Sequence, residues 1–298
     1  MKPIHSLFFA VCLSLFILSC KETPPYINMV PSHVATDTNY LSLPAPSPEQ
    51  KNAVIEEFTG VRCPNCPAAQ KEAAAIATNN PNRVHIITIH PFDKVNPLTT
   101  PFSSSDPHPS KYDFRTLAGA KIFELVGPTN SLPIGSVNRI LFPGETSRNI
   151  DYQKWAAHVN SQLSIPTPLN IALKAKNTND SITIDVTLKY TDFVADSAQY
   201  LTLVIIESGM IDPQESTNTG GQKIIVEDYE HKHVLRAIVT DYYGDLLKAK
   251  LEPGRVFFKR YTYKRDTSWV KTNLDIVAMV HLNTTKQNVI HSKEAHVE

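Results

Sequence analysis

The sequence is most informative at residues 56–67, where it reads Glu56-Glu57-Phe58-Thr59-Gly60-Val61-Arg62-Cys63-Pro64-Asn65-Cys66-Pro67. An apolar run, Ala53-Val54-Ile55, precedes it, and the alanine-rich residues 68–77 follow. This order predicts a strand that delivers two cysteines to the N-terminus of a helix. A helix N-terminus favours a thiolate over a thiol, so a Cys-x-x-Cys pair there can be redox-active. The pair is therefore predicted to be either a redox centre or a structural element that stabilises the fold.

A second strand is predicted after this helix. The helix is expected to end at Asn79-Asn80-Pro81, and residues 83–90 are largely apolar and β-branched. Strand, helix and strand over this length form a βαβ unit with parallel strands and a right-handed crossover. Both strands then end at the same edge of the sheet, so His90 is expected near the cysteines. The alternative is an ordinary surface histidine at a strand end.

Residues 1–19 have the pattern of a secretion signal. Lys2 is followed by an apolar core that is too short for a comfortable membrane span. Ile17-Leu18-Ser19-Cys20 resembles the lipobox of bacterial lipoproteins. This resemblance implies cleavage before Cys20 and lipid attachment to that cysteine, which anchors a chain without any transmembrane helix. The alternative is an ordinary signal peptide and an incidental cysteine.

Processing simplifies the cysteine chemistry. Of the four cysteines, Cys12 leaves with the signal and Cys20 is lipidated, so Cys63 and Cys66 have only each other. In an oxidising envelope they are expected to form an intramolecular disulfide. A zinc site needs further ligands, and the chain has no second Cys-x-x-Cys. We therefore expect no metal and no cofactor.

The balance of charged residues limits the classes of molecule that the protein is expected to bind. The chain has 29 Lys and Arg against 29 Asp and Glu, and the signal removes only Lys2 from this balance. No basic stripe with interleaved aromatic residues is present, which argues against nucleic acid as a partner. The length is sufficient for two ordinary domains.

Composition divides the chain into four segments. After the signal at 1–19, residues 20–50 are rich in Pro, Ser and Thr and predict an extended tether. Residues 51–165 contain the βαβ unit, and a Pro-Thr-Pro sequence begins the segment 166–298. There the hydrophobic period changes to two, as at residues 182–188, which predicts an all-β sandwich. The predicted fold is an α/β domain followed by a β-sandwich, and sandwiches more often bind or space than catalyse.

The first domain resembles a thioredoxin fold. The strand–Cys-x-x-Cys–helix unit, the following parallel strand and a proline just before a later short strand carry the resemblance. It implies that Cys63 is the attacking thiol and Cys66 the resolving thiol. It also implies that Glu57 is a buried acid that accepts the proton of Cys66, and that Leu132–Pro133 is a cis peptide bond near the disulfide.

Two positions depart from the thioredoxin pattern. Arg62 stands where an aromatic residue usually precedes the first cysteine, and Pro67 follows the second. These departures concern substrate docking more than disulfide formation. The charge of Arg62 is expected to favour the Cys63 thiolate. Glu56 should point to the opposite face of its strand from Glu57 and be solvated.

The whole chain resembles a family of outer-membrane lipoproteins named after a twenty-eight-kilodalton outer-membrane protein of Bacteroidetes-type bacteria. Residues 57–67, 132–139 and 229–236 carry this resemblance, the last reading Tyr-Glu-His-Lys-His-Val-Leu-Arg. It implies an outer-membrane location in a Gram-negative bacterium, facing the periplasm or the surface. His231 and His233 are two apart in a predicted strand and share a face, which permits either a metal pair or a hydrogen-bonded corner.

Two functions remain open. One is a lipid-anchored thiol–disulfide oxidoreductase that acts on the thiols or disulfides of envelope proteins. The other is a binding or adhesin-like lipoprotein, in which a surface ligand contacts the sandwich and the Cys63–Cys66 bond is structural. A loop this short closes little chain entropy, roughly 2 kcal/mol or less, which makes a purely stabilising bridge a poor placement.

Overall fold

The computed structural model describes residues 33–92, 97–129, 131–195, 198–282 and 287–298. The predicted signal and Cys20 lie outside the described residues. His33–Glu298 form one compact unit. Within the described ranges, no helix combines the length and the apolar character needed to cross a membrane.

The fold is rich in β-structure, as the sequence predicts. The helices are α1 (Cys66–Asn79), α2 (Leu117–Val126) and α3 (Trp155–Leu163), with 3-10 turns at Pro97–Thr99, Tyr152–Lys154 and Lys271–Asn273. The strands are β1 (Val34–Leu41), β2 (Ala53–Phe58), β3 (Val84–Pro91), β4 (Arg115–Thr116), β5 (Ile134–Val137), β6 (Leu169–Thr178), β7 (Ser181–Tyr190), β8 (Tyr200–Glu207), β9 (Met210–Thr217), β10 (Lys223–His231), β11 (Val234–Ile238), β12 (Asp245–Leu246), β13 (Arg255–Lys264), β14 (Leu274–His281) and β15 (Val289–His296).

The described strands form three sheets. The largest has nine strands in the order β15-β14-β8-β11-β3-β2-β5, with β12 beside β8 and β4 beside β3. A second sheet has the order β1-β13-β7-β6, and β9 and β10 pair only with each other. β2 and β3 are parallel, whereas β5 runs antiparallel to β2. This confirms the parallel βαβ unit predicted around the cysteines.

Alternating and helical periods explain how the layers pack. In β7 the buried residues are every second one, Ile182, Ile184, Val186 and Leu188, and they meet apolar residues of β8 and β14 between the two larger sheets. Helix α1 buries Ala69, Ala73 and Ile76 against Ala53 and Ile55 of β2. Helix α2 packs on the opposite face of the same sheet, against Val54 and Phe58. The nine-stranded sheet is therefore covered on both faces around β2.

Part of the predicted tether is a strand. Val34–Leu41 falls within residues 20–50, yet β1 pairs antiparallel along β13 from Val34 to Leu41. Lys259 on β13 also forms an ion pair with Asp37, at 2.5 Å. The tether prediction is wrong for these residues because pairing with the edge of a sheet satisfies backbone groups without any apolar pattern in the added strand.

The nine-stranded sheet contains strands from both sides of residue 166. β3 and β11 pair in parallel at Thr88 and Val234, and the Thr88 N–H donates to the His233 carbonyl at 2.8 Å. The segments 51–165 and 166–298 therefore share one sheet. Their division into separate domains stays a prediction.

Candidate functional site

The two cysteines form a disulfide at the start of α1, as predicted. The S–S distance is 2.08 Å and the Cα atoms of Cys63 and Cys66 are 5.4 Å apart. The loop that precedes the helix is closed by backbone hydrogen bonds, from Cys63 N–H to the Gly60 carbonyl and from Cys66 N–H to the Cys63 carbonyl. Asn65 occupies the N-cap position without a side-chain cap, and a proline lies in the first turn. The helix N-terminus is therefore directed at the disulfide.

The disulfide is buried. Cys63 is 1% exposed and Cys66 is 0% exposed. A reactive Cys-x-x-Cys pair needs an accessible first sulfur, so this burial bears directly on whether the pair turns over.

The hairpin β9–β10 is hydrogen-bonded to the loop that holds the disulfide. The Gln214 side-chain amide donates to the carbonyls of Gly60 and Cys63, at 3.1 and 3.2 Å. The Glu215 N–H donates to the Val61 carbonyl at 2.7 Å. The Thr217 hydroxyl donates to the Pro64 carbonyl, at 3.2 Å. These contacts tie strand β9 along the loop that precedes α1.

Glu57 lies on the same face of β2 as α1. Side chains alternate along a strand, so Glu57 shares the face of Ile55, which packs against that helix. The carboxyl group is 1% exposed, and its Oε1 atom has no hydrogen-bond partner among the described residues. Burial raises its pKa to about 8. Glu57 is therefore mostly protonated at neutral pH.

A cavity of about 400 Å³ connects Glu57 with the hairpin. Gln70 of α1 and Tyr229 of β10 both line it, and the Tyr229 hydroxyl donates a hydrogen bond to the Gln70 side-chain oxygen. Burial, and then the nearby Glu57 carboxyl, raise the pKa of Tyr229 to about 12. Lys71 and Lys232 also line this cavity.

The structure corrects the expectation for Glu56. Its side chain points away from Glu57, as predicted. We expected it to be solvated, but it is buried, with 1% of its surface exposed. The Arg139 guanidinium donates to both of its carboxylate oxygens, with the Nε atom 3.0 and 2.9 Å from Oε1 and Oε2, and Ser136 donates as well. A buried partner with these hydrogen bonds replaces water around the charge. The sequence prediction failed because this arginine is 83 residues away in the chain.

Arg62 is bound to the loop that follows β3. Its Nη2 atom is 2.8 Å from Asp106 Oδ2, and its guanidinium stacks 4.3 Å from the centroid of the Phe102 ring. An adjacent carboxylate offsets the charge that we expected to favour the Cys63 thiolate.

Pro133 precedes β5, and the Leu132–Pro133 peptide bond is cis. Strand β5 pairs with β2 over Ile55 to Phe58, which includes the Glu57 position. This brings the start of β5 to the strand that carries Glu57. The role of Pro133 beside the disulfide stays a prediction.

His90 and His231 lie together in a buried cluster, and His231 and His233 do not share a strand. The ring of His231 lies 6.1 Å from that of His90 and 4.5 Å from that of Phe114. Burial lowers the pKa of His231 to about 4 and that of His90 well below its usual value, so both are neutral. β10 ends at His231, and His233 turns the chain with φ +54°. Over the described ranges, no group of three or more His, Cys, Asp or Glu side chains is arranged to hold a metal ion.

Sequence reasoning missed the hairpin and therefore Gln214 and Thr217, and it gave no role to Tyr229. β9 contains Asp212, Pro213, Gln214 and Glu215, which give neither an apolar alternation nor high β-propensity. The available signals were the turn around Asn218 to Gly221 and the apolar residues of β10 that follow it.

The described residues thus form a β-rich protein with a buried Cys-x-x-Cys disulfide at a helix N-terminus. Comparison with family models then gives a match to outer membrane protein Omp28 over residues 122–298. The chain belongs to the Omp28 family, which confirms the resemblance seen in the sequence, and it is associated with the outer membrane.

Comparison with solved structures supports the fold. HBP35 of Porphyromonas gingivalis aligns with a TM-score of 0.64 and 20% identity, over 85% of this chain and 77% of that chain. A domain of the outer membrane lipoprotein Omp28 from the same organism is 20% identical over 44% of this chain and 88% of its own, with a TM-score of 0.29. A protein from Agrobacterium tumefaciens is 12% identical over 84% and 96%, with a TM-score of 0.45. Only the first of these alignments supports a shared fold. A search of curated proteins found no match.

Proposed function

We propose that this protein is lipid-anchored through Cys20 to the outer membrane and carries a thioredoxin-like site for thiol–disulfide exchange. The order of elements supports the thioredoxin-like assignment: β2, the Cys63–Cys66 disulfide, α1 and the parallel β3 are followed later in the chain by the antiparallel β5. The substrates are thiols or disulfides of envelope proteins, and the reaction uses no cofactor.

The observation that carries this proposal is the buried Glu57 carboxyl. A buried carboxyl group without a hydrogen-bond partner lowers the stability of a protein. A fold that needed only a structural disulfide at Cys63–Cys66 would gain nothing from such a group. Glu57 faces α1, whose first residue is Cys66, and its raised pKa keeps a proton available near neutral pH. Such a group can supply a proton to a departing thiolate or take one from a thiol.

The exchange proceeds in two steps from the oxidised state. A substrate thiolate attacks Cys63 Sγ, the Cys63–Cys66 bond breaks, and Cys66 leaves as a thiolate that takes the Glu57 proton. The second substrate thiolate attacks the substrate sulfur of the mixed disulfide, which forms the substrate disulfide and releases Cys63 as a thiolate. Two electrons pass from the substrate dithiol to the cysteine pair. The reverse sequence reduces a substrate disulfide, with Glu57 accepting the proton of Cys66.

Redox titration tests this proposal. The full chain is equilibrated in glutathione buffers, and its free thiols are measured together with turnover of a disulfide-bonded reporter protein. We expect a potential within the range of disulfide oxidoreductases and turnover that a Cys63→Ser variant lacks. A potential below about −300 mV without turnover would show that the bridge is structural.

A second candidate function is favoured by the burial of both cysteines. In this alternative the disulfide is a permanent clip, and the protein binds a surface ligand through its β-rich part. Protease treatment of intact cells separates the two: full surface exposure weakens the exchange proposal, because reductant is supplied in the periplasm. Protection of the chain in intact cells supports exchange.

A further inference from the structure

The hairpin β9–β10 is hydrogen-bonded to the loop that carries the disulfide. Its two strands pair only with each other among the described strands, and an isolated two-stranded hairpin is marginally stable by itself. β10 is largely exposed, so one side of the hairpin faces solvent. β9 supplies the hydrogen bonds to the disulfide loop, and β10 adds the Tyr229 hydrogen bond to Gln70 and the packing of His231 on Phe114.

Many of those contacts are polar. β9 buries Asp212, Gln214 and Glu215, and its apolar contact is Met210, which packs in a small cluster with Val61 and Phe114. Asp212 accepts from the Lys111 N–H at 2.7 Å, and burial raises its pKa. The Gln214 Oε1 atom is buried without a hydrogen-bond partner among the described residues. Separating such an interface returns polar groups to water, so it costs less than separating an apolar one of equal area.

The hydrogen bonds converge on the loop that carries the attacking sulfur. The carbonyls of Gly60, Val61, Cys63 and Pro64 all accept hydrogen bonds from β9. The side chain of Gln214 spans two of these carbonyls, one of them that of Cys63 itself. With β9 bound to the loop in this way, both cysteines are buried.

We propose that the β9–β10 hairpin is a strap that closes over the Cys63–Cys66 disulfide and must lift before any thiol reaches Cys63. This inference rests on the proposed exchange function and adds a gate to it. Opening breaks the Gln214, Glu215 and Thr217 hydrogen bonds to the loop and leaves the disulfide at the surface. The rate of exchange is then set by how often the strap opens.

The test is the rate at which dithiothreitol reduces the disulfide of the full chain at pH 7, followed by alkylation of free thiols. One dithiothreitol thiolate attacks Cys63, Cys66 departs, and the second thiol of the reagent releases Cys63 and forms oxidised dithiothreitol. Gln214→Ala removes two of the retaining hydrogen bonds. We expect reduction to be faster by about tenfold than in the wild-type protein.

A matched control lies in the same hairpin. Gln222 is exposed at the turn and, among the described residues, its side chain bonds to Asn218 of the same turn, so Gln222→Ala should leave the rate unchanged. Thr217→Val keeps the shape of an exposed side chain and removes only its hydroxyl, and we expect a smaller rise of about threefold. This variant keeps the test valid even where Gln214→Ala disturbs folding.

Hydrogen exchange provides an independent readout of opening. The Glu215 N–H donates to Val61, outside the hairpin, so its exchange reports release of the strap. Peptides that cover residues 210–217 should exchange faster in Gln214→Ala by the same factor as reduction. Equal reduction rates in the wild-type protein, Gln214→Ala and Thr217→Val would overturn the strap. Faster reduction without turnover of the protein reporter supports the strap and contradicts the exchange function, so the two proposals fail separately.

Discussion

Substitution of Glu57 by glutamine tests the electrostatics of the site. The wild-type carboxyl group is buried next to α1, and its pKa is raised to about 8 from an ordinary value of 4.5. Glutamine has nearly the same shape and carries no charge at any pH. The substitution therefore removes the ionisation while it keeps the side chain in place.

The expected magnitude follows from the two pKa values. The folded state holds the Glu57 proton more tightly than the unfolded state, so stability falls as the pH rises from 4.5 towards 8. Ionisation of the buried group costs about 5 kcal/mol in full, since one pKa unit corresponds to about 1.4 kcal/mol. Between pH 4.5 and pH 7 the wild-type protein should lose about 3 kcal/mol from this group alone.

Equilibrium denaturation at several pH values measures this loss. Other groups also titrate in this range, so the informative quantity is the difference in unfolding free energy between Glu57→Gln and the wild-type protein. This difference should shift in favour of the variant by about 3 kcal/mol from pH 4.5 to pH 7. The control is Glu124→Gln, which makes the same substitution at an exposed acid on α2. A pH-independent difference for Glu57→Gln would refute the buried, protonated carboxyl.

Three further predictions concern the framework and the anchor. Arg139→Met leaves Glu56 buried and unpaired, so the unfolding free energy should fall by about 3–5 kcal/mol, and a loss under 1 kcal/mol in denaturant titration would argue against a desolvated pair. Gly135→Ala would place a Cβ atom 2.6 Å from the Glu56 carbonyl oxygen and from the Trp155 ring, so the midpoint of thermal unfolding should drop with a loss of about 1–3 kcal/mol; an unchanged midpoint would contradict this packing. Cys20→Ala should release the protein from the membrane fraction, and retention there would exclude lipid as the anchor.

Local patterns in the sequence predicted the framework of the site. The strand β2, the helix after the cysteines and the parallel strand β3 each show a clear period or an apolar run within a few residues. The Cys63–Cys66 disulfide followed from the lack of any other cysteine to pair with. The alternation along β7 likewise predicted the packing of the two larger sheets.

Contacts between distant parts of the chain were not predictable in the same way. The surroundings of Glu56 depend on Arg139. The hydrogen bonds between the strap and the disulfide loop depend on Gln214, which is 151 residues from Cys63. A polar strand such as β9 gives no hydrophobic period, because its buried residues are satisfied by hydrogen bonds rather than by apolar packing. For the same reason β1 was expected to be a tether.

The burial of the cysteines changes the functional question. A Cys-x-x-Cys pair at a helix N-terminus suggested an exposed nucleophile, but both cysteines are buried. Thiol–disulfide exchange therefore requires the hairpin to open, whereas a structural disulfide does not. The local geometry of the cysteine pair is the same in both cases. Access to the disulfide is the property to measure.

The most direct test of exchange at Cys63 is mixed-disulfide trapping in cells. A Cys66→Ser variant cannot resolve the intermediate, so it should accumulate discrete, dithiothreitol-sensitive adducts through Cys63, more of them when Gln214→Ala is added. The double variant Cys63→Ser/Cys66→Ser should form none. Absence of adducts in Cys66→Ser, both with and without Gln214→Ala, would contradict thiol–disulfide exchange by this protein.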